Sequence, residues 1–457
     1  MNHIHPRLIR VGAALAVLAA LLAFVARSAQ GQAPPTQRLS LAEAARLAAA
    51  QTALVQSAQY RVQEAQARVT QSQSALRPQV SAIPNYTGHT VNSASFGFNF
   101  PAQAGQPPLL DPNGEIIGPV RLFDFRGEAS QTLFDRGATA RVRAARASVS
   151  AASADVATAA EQAATNAALI YLRSVRSDAT LQARTADSVL ANDLLGIAHD
   201  QLEAGVGIAL DVTRAQAQLF AARAQLIVAR NDRDRSRLDL KRALNLPLEA
   251  PIELTDSLVS LAAPTIAAEQ EVIDMALKNR PDIRAIDAQL GVAEQQIAAI
   301  RATRLPTVGV FGNDGANGIG LNHLLNTYNY GVQVTWPVFE GGRREGQIQE
   351  QQAATRDIDL RKRELRQQVA LEVRGALLDI ASAREQVDAA RGRQQVAEQE
   401  VEQARERFRA GVAGNADVVT AFVSLNAART GLIDALTALQ TARLALARAE
   451  GTVSQLR

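Results

Sequence analysis

The sequence predicts a mainly α fold with a small β part: duplicated long antiparallel coiled-coil hairpins and about four strands. Three observations carry this expectation. Long stretches repeat apolar residues, many of them Ala, at alternating steps of four and three. That 3.5-residue period is the seam of a coiled coil. One segment, "NTYNYGVQVTWPVFEGG" at 326–342, alternates instead with period two, the mark of a strand. Finally, the chain is written twice, in one order of segments.

Ahead of the first copy, residues 1–31 contain no acidic side chain. Arg7 and Arg10 precede an apolar run from Val11 to Val25, and small residues follow. This is the order of a cleavable secretory leader, and the run falls short of the ~20 residues a spanning helix needs. Cleavage removes three of the 48 basic side chains and leaves as many basic as acidic ones. No electrostatic footprint for nucleic acid remains. Cysteine is absent, which excludes disulfides, thiolate metal sites, a Cys nucleophile and lipidation at an N-terminal Cys. No later stretch offers 18 consecutive apolar residues, so helical membrane spans are not expected.

The two copies follow from three matches. Residues 41–80 align with 269–308 at a constant offset, each a helical pattern closed by a proline, Pro78 or Pro306. "TLFDRG" (132–137) then pairs with "PVFEGG" (337–342), and "EAGVGIALDVTRAQ" (203–216) with "RAGVAGNADVVTAF" (409–422). The expected organisation is a leader (1–31), a first repeat (32–245), a linker (246–268) and a second repeat (269–457). Each repeat reads helix, strand, loop, strand, very long helix, tight turn, returning helix.

The long helices are legible in their seams. In the second repeat the stripe runs Val369, Val373, Ala376, Ile380, Ala383, Val387, Ala390, Gln394, Ala397, Val401, Ala404, Phe408. It resumes after the turn from Val418 to Ala449. The first repeat returns with Val212, Ala215, Leu219, Ala222, Leu226 and Ala229, while its outgoing helix carries Arg184 in the seam. Residues 343–410 and 138–204 contain no proline. At about 1.5 Å rise per residue each makes a helix of roughly 100 Å.

The strands read differently. From 328 to 338 the large residues Tyr328, Tyr330, Val332, Val334, Trp336 and Val338 share one face. They include the single Trp and two of the five Tyr. In 120–134, Phe123, Phe125, Ala129 and Leu133 oppose Asp124, Arg126, Glu128, Ser130 and Thr132. A charged face behind an aromatic one suits water on one side and lipid on the other, as in the aromatic girdles of outer-membrane barrels. The lipid-facing set is then Phe123, Phe125, Leu133, Tyr328, Tyr330, Val332, Val334 and Trp336. Residues 79–100 and 306–320 supply partner strands, with a Pro/Gly-rich loop at 101–119. Four strands do not close a barrel, and an open edge in hydrocarbon leaves backbone groups unsatisfied. Two, three or four copies must therefore share one transmembrane β-barrel.

With "FDRG"/"FEGG" junctions and "AGV….DV" turns both in duplicate, the chain resembles the TolC-like outer membrane efflux protein family over residues 39–450. The resemblance implies a homotrimer, with twelve strands in the outer membrane and twelve helical strands forming an α-helical barrel in the periplasm of a Gram-negative cell. It also implies a periplasmic adaptor and an inner-membrane pump (RND, MFS or ABC type) as partners. Two departures stand out. "TLFDRG" lacks the proline of "WPVFEGG", and the missing Cys groups the chain with non-lipidated members.

The turns are the candidate site. Gly205 and Gly411 are placed to end the long helices in a left-handed conformation. Asp211 and Asp417 fall where the returning helices begin, as caps or first-turn acids. The resemblance makes these turns, with Val206 and Val412, the tunnel mouth and adaptor contact. It makes Asp417, Thr420, Arg405 and Arg409 a possible gate, with Arg407 nearby. The family allows a second acid where this chain has Thr420, so an opened, weaker or differently locked tip is expected. His3, His5, His89, His199 and His323 show no metal-ligand spacing. Neither a catalytic triad nor a phosphate loop is evident. No metal, cofactor or catalysis is therefore expected. The leading reading is a passive exit duct for small molecules such as drugs or toxic compounds. A type I protein-secretion duct and a soluble periplasmic coiled-coil scaffold stand as alternatives.

Overall fold

The computed structural model describes residues 37–96, 114–259 and 268–456. The expected leader, most of the loop 101–119 and the end of the linker 246–268 lie outside them. In chain order the first repeat region forms β1 (Gln37–Leu39), α1 (Leu41–Gln51), α2 (Ala53–Ser74), β2 (Gln79–Asn92), β3 (Ile116–Phe134), α3 (Arg136–Glu203) and α4 (Ala209–Ala243). Then follow β4 (Ile252–Leu254), α5 (Glu269–Asn279), α6 (Pro281–Ala302), β5 (Thr307–Gly318), β6 (Leu325–Thr335), α7 (Arg343–Arg409) and α8 (Asn415–Glu450). These residues divide into two units. One holds the described residues up to 56, 158–280 and from 368 onward; the other holds 57–157 and 281–367.

In the first unit, Ser40 starts α1 with a reciprocal cap, its hydroxyl accepting from Glu43 N while Ser40 N donates to the Glu43 carboxylate. Ala45 of α1 then packs with Ala164, Ala168 and Leu172 of α3 and Leu444 of α8. β1 pairs in parallel with β4, joining the start of the first repeat to the linker. Both strands are three residues long, below what periodicity can reveal. Beside them the buried Tyr171 hydroxyl shares its proton between Leu39 O (2.9 Å) and Asp256 Oδ2 (3.0 Å), and Asp256 Oδ2 also accepts from Leu41 N (2.7 Å). Burial, reinforced by the Asp256 carboxylate, pushes the Tyr171 hydroxyl's pKa up, so it remains a donor.

The helical patterns expected to be continuous over 41–80 and 269–308 are each broken, at equivalent places. Thr52 is extended between α1 and α2, and Arg280 is extended between α5 and α6. Pro281 forces the second break, because its ring disfavours the helical conformation of the residue before it. At the first, Thr52 N–H and Oγ1 both donate to Ala48 O, closing α1 locally.

The second unit contains an antiparallel four-stranded sheet in the order β2-β3-β5-β6. β2 and β5 are shorter than the segments expected, β3 starts earlier, at Ile116 within the expected loop, and β6 lies three residues earlier than its expected span. β6 ends at Thr335, where its partner β5 begins at Thr307, and Pro337 offers no N–H to continue. A register shift between Thr132 and Phe134 makes Leu133 a bulge and sets Phe134 opposite Val308.

Candidate functional site

Both long helices end alike. Gly205 (φ 76°) and Gly411 (φ 68°) adopt the left-handed conformation. Val206 N donates to Gln201 O (3.1 Å) and Val412 N to Arg407 O (3.0 Å). These six-to-one bonds satisfy carbonyls that the helix end would otherwise orphan. The residue after the glycine usually tucks its side chain back onto the helix. Here Val206 is 73% and Val412 72% exposed, with Ile208 and Leu210 also outward. The turns thus project valines into solvent from a hydrogen-bonded backbone.

The two turns are tied together. Asn415, fully buried at the start of α8, donates Nδ2–H to Asp211 O (2.7 Å), and Gln201 Nε2 donates to Phe408 O. Above them Ala191, Leu194, Leu219, Phe408, Val418 and Phe422 form one apolar cluster drawn from all four long helices. Asp211 and Asp417 stand in the first turns of α4 and α8, but neither caps by its side chain. The caps are the backbone of Ile208 and Gly414, leaving the acids as first-turn charges favoured by the helix dipole. Asp417 and Thr420 are exposed, and the Thr420 hydroxyl donates to Ala416 O. Arg405 lies 3.7 Å from Glu402 on its own helix, while Arg409 is exposed. His199 is an exposed helix residue.

The sheet has two chemically distinct faces. Cross-strand register places Val80, Pro84 and Tyr86 beside Phe123, Phe125 and Ala129, and Val308 and Val310 beside Val334 and Val332. Tyr328 and Tyr330 complete that face, their rings 6.2 Å apart, and Tyr86 meets Phe123 at 4.7 Å. Phe125, Tyr328, Tyr330, Val332 and Val334 are all exposed. Trp336, just beyond β6, is exposed too, and its indole N–H donates to Arg304 O (3.2 Å). Leu133 is exposed at the bulge. The opposite face carries most of the polar side chains, with Ile83 and Phe311 as apolar exceptions. Arg126 reaches Asp124 (3.3 Å), Asn313 (2.8 Å) and Thr327 (3.3 Å), spanning three strands.

The duplicated junctions share a chemistry. In "FDRG", Asp135 accepts from Ala138 N (2.8 Å) and from Arg141 (3.2 Å), capping α3. In "FEGG", Glu340 pairs with Arg343 and with Arg344, whose nearly buried guanidinium also reaches Thr303 Oγ1 and Pro337 O. The hydrogen bond from Arg343 holds the Glu340 carboxyl below its ordinary pKa. The acid, rather than the missing proline, is what the two copies have in common.

Sequence reasoning missed a buried polar node in the first unit. Asp187, 1% exposed, accepts from Arg184 (3.1 Å), Arg429 (2.7 Å) and Asn426 (3.0 Å). Arg184 also donates to Thr430 Oγ1 (2.9 Å) and to Asn426. The only signal in the sequence was Arg184 interrupting an apolar seam. Its partners on α8, Asn426 and Thr430, lie more than two hundred residues away.

Comparison with known proteins agrees with this architecture. The family described as outer membrane efflux protein matches residues 44–246 and 272–452. The chain is 27% identical over 247 residues to the alkaline protease secretion protein AprF of Pseudomonas aeruginosa, covering 51% of this chain and 49% of that one. It is 28% identical over 244 residues to the probable efflux pump outer membrane protein TtgC of Pseudomonas putida, covering 50% and 48%. The chain thus spans about half the length of the curated relatives it matches. Among solved structures, the outer membrane protein VceC of Vibrio cholerae superposes with a TM-score of 0.69 at 20% identity, over 90% of this chain and 96% of that one. The CmeC outer membrane channel of Campylobacter jejuni gives 0.70 at 18% identity, over 90% and 85%. The chain belongs to the outer membrane efflux protein family. It is an outer-membrane protein with the fold of these channels, long helical hairpins joined to a small β part.

Proposed function

We propose that the protein is the outer-membrane exit duct of a tripartite efflux system, passing small molecules such as drugs or toxic compounds handed on by an inner-membrane pump and a periplasmic adaptor. The observation that carries the reading is the sheet. Its four strands expose an apolar, aromatic-bordered face, and β2 and β6 each have an outer edge with no partner strand among the described residues. Such edges are tolerable in a membrane only when further copies complete the barrel. Outward apolar stripes on the helices favour the same assembly: Ala217, Phe220, Ala224 and Ile227 on α4, and Leu371, Leu378 and Val396 on α7. Twelve strands from a homotrimer suit the count. The family match in two blocks supports the reading of two repeats, 32–245 and 269–457, around the linker 246–268, behind a cleaved leader 1–31.

In this duct the turns form the periplasmic mouth. Val206 and Val412 meet the adaptor, Gly205, Gly411, Asp211 and Asp417 shape the turns, and Asp417 with Thr420, Arg405 and Arg409 sets the aperture. The duct is passive, so no catalytic group or cofactor is required of it. The test is conductance of the detergent-extracted oligomer in planar bilayers. Asp417→Ala raises single-channel conductance if the acid narrows the mouth, and an unchanged conductance reduces Asp417 to a helix-end charge. A duct for protein secretion is the second reading, favoured by the similarity to a protease secretion protein.

A further inference from the structure

We infer that Glu128 is the charge-selecting residue of the barrel lumen, giving the pore a preference for cations over anions. The inference rests on the duct reading, which places the polar face of the sheet toward water. On that face the charged side chains are Asp124, Arg126 and Glu128, with His89 near the outer end. They are not equivalent. All three guanidinium nitrogens of Arg126 are engaged, on Asp124, Asn313 and Thr327, so Asp124 and Arg126 neutralise one another. Glu128 has Ser81 and Asn313 as its cross-strand neighbours, and Asn313 Oδ1 already accepts from Arg126. Among the described residues Glu128 has no ion-pair partner, and the sequence from 97 to 113 contains no lysine or arginine to supply one.

Each copy therefore contributes one uncompensated negative charge at one level of the polar face. A ring of such charges raises local cation concentration and lowers that of anions, most strongly where low-dielectric walls focus the field. The effect falls with salt, because the Debye length shrinks from ~10 Å at 0.1 M to ~3 Å at 1 M. Asp314 provides an internal comparison. It sits opposite Tyr328 on the apolar face, where it faces away from the lumen.

The experiment is the reversal potential of the reconstituted protein in a KCl gradient at low ionic strength. Wild type passes K⁺ in preference to Cl⁻, and Glu128→Gln lowers that permeability ratio by about twofold or more at 0.1 M salt. Glu128→Lys reverses the preference, and Asp314→Asn leaves it in place. Because the chain has no cysteine, Glu128→Cys adds a single thiol; a cationic thiol reagent then mimics Lys and an anionic one restores the wild-type preference. Channels that conduct normally but keep one reversal potential through Glu128→Gln and Glu128→Lys overturn the inference and leave the duct intact. A shift on Asp314→Asn alone overturns it by reversing the two faces. A wild-type protein that never conducts removes the duct and the inference together.

Discussion

The two helical hairpins of the first unit come from matching halves of the sequence, yet their interiors differ. In α7 and α8 the seam is apolar over most of its length, with Val369, Val373, Ile380, Val387, Val401, Val418, Leu425 and Leu439 buried. In α3 the equivalent stripe is interrupted by Arg184, which joins Asp187, Asn426, Thr430 and Arg429 in a buried polar node. The apolar seam holds the two helices of one hairpin together and accepts many small adjustments. The node does something else: it fixes α3 of the first hairpin to one register on α8 of the second. Buried ionic groups add little net stability over an apolar replacement, but they penalise every arrangement that leaves one unpaired. Duplication thus supplied two similar hairpins, and polar specificity arose where they meet.

Three substitutions sharpen this contrast. The largest effect is expected from Asp187→Ala, which strands the guanidiniums of Arg184 and Arg429 in the interior. A loss of about 3–5 kcal/mol is expected, read as a lower unfolding temperature of the detergent-solubilised protein. Replacing Asp187, Arg184 and Arg429 together by leucine should recover much of that loss; failure to recover would mean the node contributes strength as well as register. Next is Ile380→Ala in the apolar seam, where a fully buried side chain leaves a cavity. Its cost is about 3 kcal/mol, and chemical denaturation should show it with no recovery from any polar change at the node. The smallest is Gly411→Ala. Open space surrounds the site, so only the left-handed backbone resists the methyl group, at about 1 kcal/mol. A larger loss would show that the turn packs against something else.

Much of the architecture was legible because it rests on periodicity. The seams, the left-handed glycines and the two-faced strands each depend on residues near one another in the chain. The breaks at Thr52 and Arg280 were harder. Pro281 announces the second, but nothing about Thr52 marks the first except its alignment with Arg280. The bulge at Leu133 was not visible, since register belongs to the pair of strands and not to either one. For the candidate site, the turn residues were readable from their repetition. That Val206 and Val412 would project outward, and that Asp211 and Asp417 would not cap by their side chains, was not.

By itself the sequence determined the class of fold, the duplicated order of elements, the faces of the strands and the chemistry of the turns. These follow from local backbone preference and from which side chains recur on one face. The tertiary structure alone decided the pairing of β1 with β4, the union of the two turns through Asn415, and the partners of Asp187 on α8. Those contacts join residues roughly two hundred positions apart, a separation across which neither periodicity nor propensity carries information. It alone also decided that Glu128, unlike Asp124 on the same face, is left without a counter-charge among the described residues.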